Sequence, residues 1–462
     1  MLIMRTRQHK DGLMNYHSLS NSALSAPFSE ALLASLAPDG GLYMPDSLPR
    51  FDDEAMVRLA ALPFAECAAR LAMHFVDDKF SRQDVEKICR SAYDFPLPVR
   101  TLDGWILDTA MVEPAANDFI LELFHGPTLA FKDFAARFMG RAVSHLLQQS
   151  GESRTILVAT SGDTGGAVGH AFLGLPGVRV YILFPHKGVS SIQEAQLTSM
   201  GGNVRAIKVD GTFDDCQALV KQAFGQSDVA ERFRLMSANS INVGRVIPQS
   251  FYYFWTALQI RAAYPGKPIA FAIPSGNLGN LTGAVLARKM GAPIDRLVVG
   301  HNANHPFIDY LESGTYTPRE SVPTLSNAMD IGKPNNFPRV LNLFDENYEL
   351  LRSVISGAAY TDQQTERHIR RIYTETGYLM CPHTAVGHLA MQDFAENGGA
   401  DHVRVTVSTA HPAKFRDEVS RILHEPVPLP PALRACMDAP KSAHLMKADL
   451  DALIAFLDET GA

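Results

Sequence analysis

A layered α/β fold with parallel sheets is predicted for this chain, on two observations. From about residue 154, short apolar, β-branched runs alternate with helical stretches. Several of the runs are also continuous and apolar, as in strands buried on both faces. Strand candidates lie at 155–159, 178–184, 204–209, 269–273, 297–300 and 403–407. Helical patterns at 165–174, 190–200, 214–224, 245–263 and 281–290 lie between them. Such alternation implies right-handed crossovers, helices packed on the sheets, and ligands held at the carboxyl ends of strands.

Residues 14 to about 100 read as a helix-rich N-terminal subdomain. An apolar-periodic segment at 29–36 ends in the turn signal Pro38-Asp39-Gly40-Gly41. Helical patterns come next at 54–75 and 82–93, and Pro96-Leu97-Pro98 breaks them, which places a boundary near residue 100. The larger α/β core is expected over 101–424. Residues 425–462 open with a Pro-rich connector and end in an amphipathic helix that packs on the core. Residues 314–340, rich in Pro, Gly and Asn, read as a long ordered loop, and a loop of that length points to function. Met14 precedes the first patterned segment, so residues 1–13 read as an extension from an upstream start.

The 462 residues suit two or three domains or subdomains. A hydrophobic share of 46% and a charged share of 20% belong to an ordinary globular chain. The net charge of −7 argues against a surface that binds nucleic acid, which needs clustered Lys and Arg. A local site for a small phosphorylated ligand remains open. The five cysteines are scattered and form no CxxC pair, so neither a disulfide framework nor a metal site is expected, and a reducing, cytoplasmic compartment fits. No apolar run has the length of a membrane span. The aromatic stretch 251–255 reads as core.

Four segments carry chemistry. Ser161-Gly162-Asp163-Thr164-Gly165-Gly166 and Ser275-Gly276-Asn277-Leu278-Gly279-Asn280 each follow a predicted strand and enter a predicted helix. That arrangement aims free backbone N–H groups and the positive end of a helix dipole at one point, where an anion can sit. Neither loop is a P-loop. One such loop is no more than an ordinary strand–helix turn as often as not; two favour a site for two anionic groups. In the third segment, Lys132 lies between Phe131 and Asp133-Phe134. A lysine is usually a solvated surface residue, but aromatic neighbours can desolvate the amine and suit it to Schiff-base chemistry. The fourth, Ser408-Thr409, ends a predicted buried strand in hydroxyls, which fit either a turn or a ligand's ring nitrogen.

Taken together these segments resemble threonine synthase. The matching pieces run from His125 to Asp133, Ser161 to Gly165, Ser275 to Asn280 and Ser408 to Phe415, joined by Ala37 to Tyr43 and Leu325 to Asp330. All six stand in the family's order and cover roughly residues 14–420. The resemblance implies a fold-type-II pyridoxal-phosphate enzyme of the tryptophan synthase β-like kind, with the N-terminal subdomain of the longer-headed bacterial and fungal branch. It implies that Lys132 bonds the cofactor aldehyde and that Gly276, Asn277, Leu278, Gly279 and Asn280 hold the cofactor phosphate. Thr409 matches the hydroxyl at the pyridine nitrogen. Asp163 stands where related enzymes often carry Asn beside the cofactor's 3′-oxygen. Ser161 and Thr164 are candidates for the substrate carboxylate or phosphate, and Asn239 and Arg245 match ligands of the substrate phosphate. The reaction implied converts O-phospho-L-homoserine and water into L-threonine and phosphate. Two other readings compete. A serine or threonine dehydratase would share the lysine and one Gly-rich loop but has no use for a second anion site. A non-catalytic binder of phosphorylated metabolites is disfavoured by the intact Lys132 and Thr409.

Overall fold

Residues 14–107 and 117–462 are described by a computed structural model, and their strands sort into three sheets. The proposed extension at 1–13 lies outside the described residues.

The largest sheet has the strand order Ile355–Ala359, Arg296–His301, Ile269–Pro274, Val403–Ser408, Asp118–Glu122, Val99–Arg100. Every neighbouring pair is parallel except the last, in which Val99 lies antiparallel opposite Leu121. The second sheet is parallel throughout, in the order His444–Lys447, Val204–Asp210, Val178–Pro185, Arg154–Ala159, Leu235–Met236. All six strands expected from apolar runs are present. Every residue of Ile269–Pro274 is buried, which is why it shows no alternating pattern; Val403–Ser408 is equally buried although Arg404, Thr406 and Ser408 alternate with its valines.

The predicted helices are present, two of them cut by proline. The 54–75 pattern is two helices, Asp53–Ala60 and Phe64–Ala72, with Pro63 at the second N-cap. The 245–263 pattern is Val243–Val246 and Gln249–Ala263, with Pro248 between them. Proline lacks an N–H and restrains the residue before it, so each interruption arises from the chain itself. Arg82–Ala92 starts with a capping box between Ser81 and Asp84. The N-terminal region is not wholly helical: Ser25–Pro27, Asn15–Ser18 and Tyr43–Pro45 form a small antiparallel sheet. Strands of three and four residues are too short to leave a periodic signal.

The C-terminal residues complete the second sheet. His444–Lys447 adds an edge strand beside Val204–Asp210, and the helix Leu450–Glu459 buries Leu453 and Leu457 in the cluster on that sheet. The 251–255 stretch lies mostly in the core, with Phe251 to Phe254 fully buried and Trp255 partly so. No helix among the described residues is long and apolar enough to cross a membrane.

The helices Lys132–Ser150 and Asp163–Phe172 pack on each other. They touch at Gly140, where an added Cβ would stand 2.7 Å from the Ala171 carbonyl oxygen. Backbone cannot retreat as a flexible side chain can, so this contact needs glycine. Gly140→Ala is expected to destabilise the fold by about 1–3 kcal/mol, the usual cost of overpacking. Urea unfolding of parent and variant checks this, and equal midpoints would show that the helices do not approach so closely.

Candidate active site

Ile269–Pro274, Val403–Ser408 and Asp118–Glu122 are adjacent and parallel, so the chain leaves all three at the same edge of the sheet. The 275–280 turn, Thr409 and the segment leading to Lys132 therefore gather at that edge. Two backbone hydrogen bonds join the last two. The Phe131 amide donates to the Thr409 carbonyl at 2.8 Å and the His411 amide to the Leu129 carbonyl at 3.0 Å. Asp133 shapes the approach, accepting from the Thr128 amide at 2.8 Å and the Thr128 hydroxyl at 2.7 Å. Burial pushes the Asp133 carboxyl up to about 6.

Lys132 opens its helix with its amine 5.7 Å from the Phe131 ring centre. The residue is only partly covered, yet the amine is enclosed enough that burial dominates and draws it down to about 8 from the ordinary 10.5. Asp163 opposes that fall, and Lys414 and Arg245 add to it. Asp163 comes from the other sheet, on the loop after Arg154–Ala159. Burial alone would raise its pKa, but Lys414, Lys132 and the Gln193 amide together hold it well below the usual carboxylate range. Its Oδ1 lies 3.0 Å from Lys414 Nζ and 3.0 Å from Gln193 Nε2. Lys414 is fully buried and also donates to the Thr128 carbonyl at 2.8 Å. Ser161 and Thr164 flank Asp163, each partly exposed.

The 275–280 turn is built for close approach. An added Cβ on Gly276 would stand 2.8 Å from Met329 Cα, and Leu278 has the left-handed φ of 58°. The helix Gly279–Lys289 starts there, and its first amides have no acceptor within the helix. Asn277 turns its side chain away, donating to Ser240 Oγ at 3.1 Å and accepting from the Asn335 amide at 2.5 Å. Asn280 accepts from the Tyr252 and Tyr253 hydroxyls at 2.6 and 2.9 Å, while its buried Nδ2 has no partner. Arg245 is buried, not a surface residue. One of its terminal nitrogens donates to the Ala238 carbonyl, and its Nε has no partner. Asn239 is partly exposed on the same segment.

This arrangement has known relatives. A family described as "Pyridoxal-phosphate dependent enzyme" matches residues 119–409, "Threonine synthase N terminus" matches 15–93, and "Threonine synthase, C-terminal" matches 384–457. A threonine synthase from Escherichia coli (strain K12) is 38% identical over 440 residues, 95% of this chain and 98% of that protein. The chain belongs to the threonine synthase family of pyridoxal-phosphate-dependent enzymes. The crystal structure of a threonine synthase from Brucella melitensis with bound PLP superposes with a TM-score of 0.88 at 34% identity, covering 96% of this chain and 99% of that one. A threonine deaminase from Solanum lycopersicum aligns with a TM-score of 0.53 at 15% identity over 81% of this chain and 95% of that one, a likeness of fold alone.

The residues fit the family's cofactor. Its phosphate needs donors not already committed and a backbone it can approach, and the turn offers first-turn amides, Gly276 and the unpartnered Asn280 Nδ2. Its aldehyde needs an amine that loses its proton near neutrality, and Lys132 is one.

Three contributors escaped the sequence reading. Lys414 lies in a recognised segment, but nothing in spacing marks it as the partner of Asp163. Gln193 sits on the helix Ser191–Thr198, outside every motif. His383 feels both Asp163 and Lys132, and burial draws it down to about 4, so it is neutral near pH 7 and can accept from the Ala328 amide at 3.1 Å. Only a fold could bring these together.

Because the neutral amine is the form that attacks an aldehyde, added pyridoxal phosphate is expected to condense with the apoprotein at a rate that climbs as pH rises through about 8, then levels. The growth of the lysine-bound cofactor's absorbance at a series of pH values measures this. A rate still climbing at pH 10 would mean that the amine is not desolvated.

Proposed function

We propose that the chain makes L-threonine and phosphate from O-phospho-L-homoserine and water. The observation that carries this reading is a buried cation, Arg245, that lies within electrostatic reach of Lys132 in addition to the Lys414 paired with Asp163. A dehydratase needs the lysine and the Gly-rich turn, but it has no phosphate leaving group to hold.

Pyridoxal phosphate, when bound, supplies the electron sink that lets protons leave the substrate carbons. The amides of Gly276 to Asn280 would hold its phosphate, and the Thr409 hydroxyl would meet its ring nitrogen. Asp163 would face the cofactor's 3′-oxygen, with Lys414 balancing the carboxylate. Arg245 and Asn239 take the substrate phosphate, a task that suits the planar guanidinium fork. Ser161 and Thr164 offer hydroxyls to the substrate carboxylate. Lys132, once released, takes the proton from Cα. The same amine, which hangs over one face of the substrate, then serves the loss of a proton from Cβ as phosphate leaves Cγ and the return of a proton to Cγ, and finally returns a proton to Cα after water has added at Cβ.

In this reading 101–424 is the catalytic core, 14–100 the family's N-terminal subdomain, and 425–462 the connector and helix that close the second sheet. Five free cysteines, four of them buried, suit a reducing cytoplasm.

Phosphate release from O-phospho-L-homoserine, assayed beside 2-oxobutanoate formation from threonine, tests the proposal. Phosphate with threonine as co-product supports it, and 2-oxobutanoate without phosphate overturns it. Lys132→Ala is expected to lose the cofactor band and nearly all turnover. Arg245→Ala is expected to lose about 1.5–3 kcal/mol of transition-state binding, read as kcat/KM for the phosphorylated substrate. An unchanged kcat/KM would remove Arg245 from the phosphate site.

A further inference from the structure

Arg339 is completely buried, and among the described residues no carboxylate pairs with it. Its guanidinium donates instead to neutral oxygens from three separate parts of the chain. One terminal nitrogen reaches the Ser240 carbonyl and Asn336 Oδ1, both at 2.6 Å. The other reaches the Ile241 carbonyl at 2.6 Å and the Tyr43 carbonyl at 3.2 Å, and Nε reaches Tyr43 again at 3.3 Å. The N-terminal sheet, the segment that carries Asn239 and Arg245, and the helix Phe337–Leu343, which takes the last residues of the expected 314–340 loop, therefore meet on one side chain.

Ser240 passes this constraint on. Its Oγ accepts from Asn277 Nδ2 at 3.1 Å and from Asn336 Nδ2 at 3.0 Å. Asn336 Nδ2 also donates to the Asn277 carbonyl at 3.0 Å. The 238–241 backbone is pinned from two directions, at Ala238 by Arg245 and at Ser240 and Ile241 by Arg339. A fork of fixed geometry sets such distances more tightly than a flexible ammonium could. A cation buried with only neutral acceptors is also costly, unless an anion lies near enough to share its field.

We propose that Arg339 is a positioning residue which, through Ser240 and Asn336, fixes the separation between the substrate-phosphate segment 238–245 and the cofactor-phosphate turn 275–280. That separation sets how far along the substrate chain a phosphate can be carried and still be held, so it selects a γ-phosphorylated substrate. The inference rests on reading these two segments as phosphate sites. It gives the long loop its role: the loop holds the spacing of the two cradles.

The test uses holoenzyme of the parent, Ser240→Ala, Arg339→Lys and Arg339→Met. Three quantities are read: protection against thermal unfolding by inorganic phosphate, retention of cofactor on dialysis, and KM and kcat with O-phospho-L-homoserine. Ser240→Ala keeps every buried charge in place, so it should fold as the parent does. It is expected to weaken inorganic phosphate by about tenfold, the scale of a lost hydrogen bond in a charged site, and to raise KM alike with a smaller change in kcat. Arg339→Met should lose phosphate protection and cofactor together. Arg339→Lys should restore part of the phosphate protection, by charge, but not the KM, which needs the fork. The proposal is overturned by a Ser240→Ala variant with the parent's phosphate affinity and KM, or by a parent that inorganic phosphate does not protect. A parent that binds phosphate, loses it in Ser240→Ala, and yet releases none from O-phospho-L-homoserine would uphold the coupling while removing the proposed reaction.

Discussion

Asp163 and Lys414 come from different sheets and meet in the interior at 3.0 Å, beside the amine on which the chemistry turns. Burying two charges is expensive, and the attraction between them repays it only when further hydrogen bonds complete the pair. Here they do: Gln193 donates to the carboxylate, and the Thr128 carbonyl accepts from the ammonium. Thr128 is in turn held by Asp133, the residue after Lys132. Removing either charge would strand the other, at a cost of about 3–5 kcal/mol. The pair thus fixes the Lys132 segment against the opposite sheet and sets its electrostatic surroundings in one arrangement. Asp163 favours the protonated amine, whereas Lys414 and burial favour the neutral one, and the balance comes out near pH 8.

The architecture was legible wherever burial writes itself into sequence. Six strands were found because each is rich in buried apolar residues, many of them β-branched, and Ile269–Pro274 is apolar along its whole length. The strands that were missed lack that mark. Asp118–Glu122 is bounded by two acidic residues, one exposed and the other buried in polar company with Tyr378, at 2.9 Å, and His125, at 2.7 Å. Ile355–Ala359 consists mostly of small residues at the sheet edge. His444–Lys447 is an exposed edge strand with a single buried residue, Met446.

The site divides the same way. Lys132, Thr409 and the 275–280 turn come after three apolar or partly apolar strands, so parallel topology places them at one sheet edge. Asp163 could be suspected, but its partner could not, because Lys414 lies far along the chain and only the packing of two sheets closes that distance. The 314–340 loop looked functional by length alone. What it does depends on the backbone amide of Asn335, which donates to the Asn277 side chain, and on the Asn336 side-chain amide and the Arg339 guanidinium, which reach backbone carbonyls, and carbonyls carry no sequence signature.

Charge, more than shape, explains why such a site would choose phosphorylated ligands. Lys414, Arg245 and Arg339 are all buried, and burial is the largest influence drawing Arg245 to about 10 and Arg339 to about 9, still well above neutrality, so both stay cationic at pH 7. Against them stands one firmly ionised carboxylate, Asp163, and a second, Asp133, lifted to about 6. An interior with surplus positive charge is a strained arrangement until an anion shares it, and a phosphate group brings nearly two negative charges together with oxygens that can accept from several donors. Desolvation chiefly keeps the Lys132 amine able to shed its proton, and Lys414 and Arg245 add to it against the opposing pull of Asp163. In the proposed reading, phosphate recognition and the reactivity of the lysine share Arg245 as a common source. A change that neutralises the surplus to improve stability should weaken both.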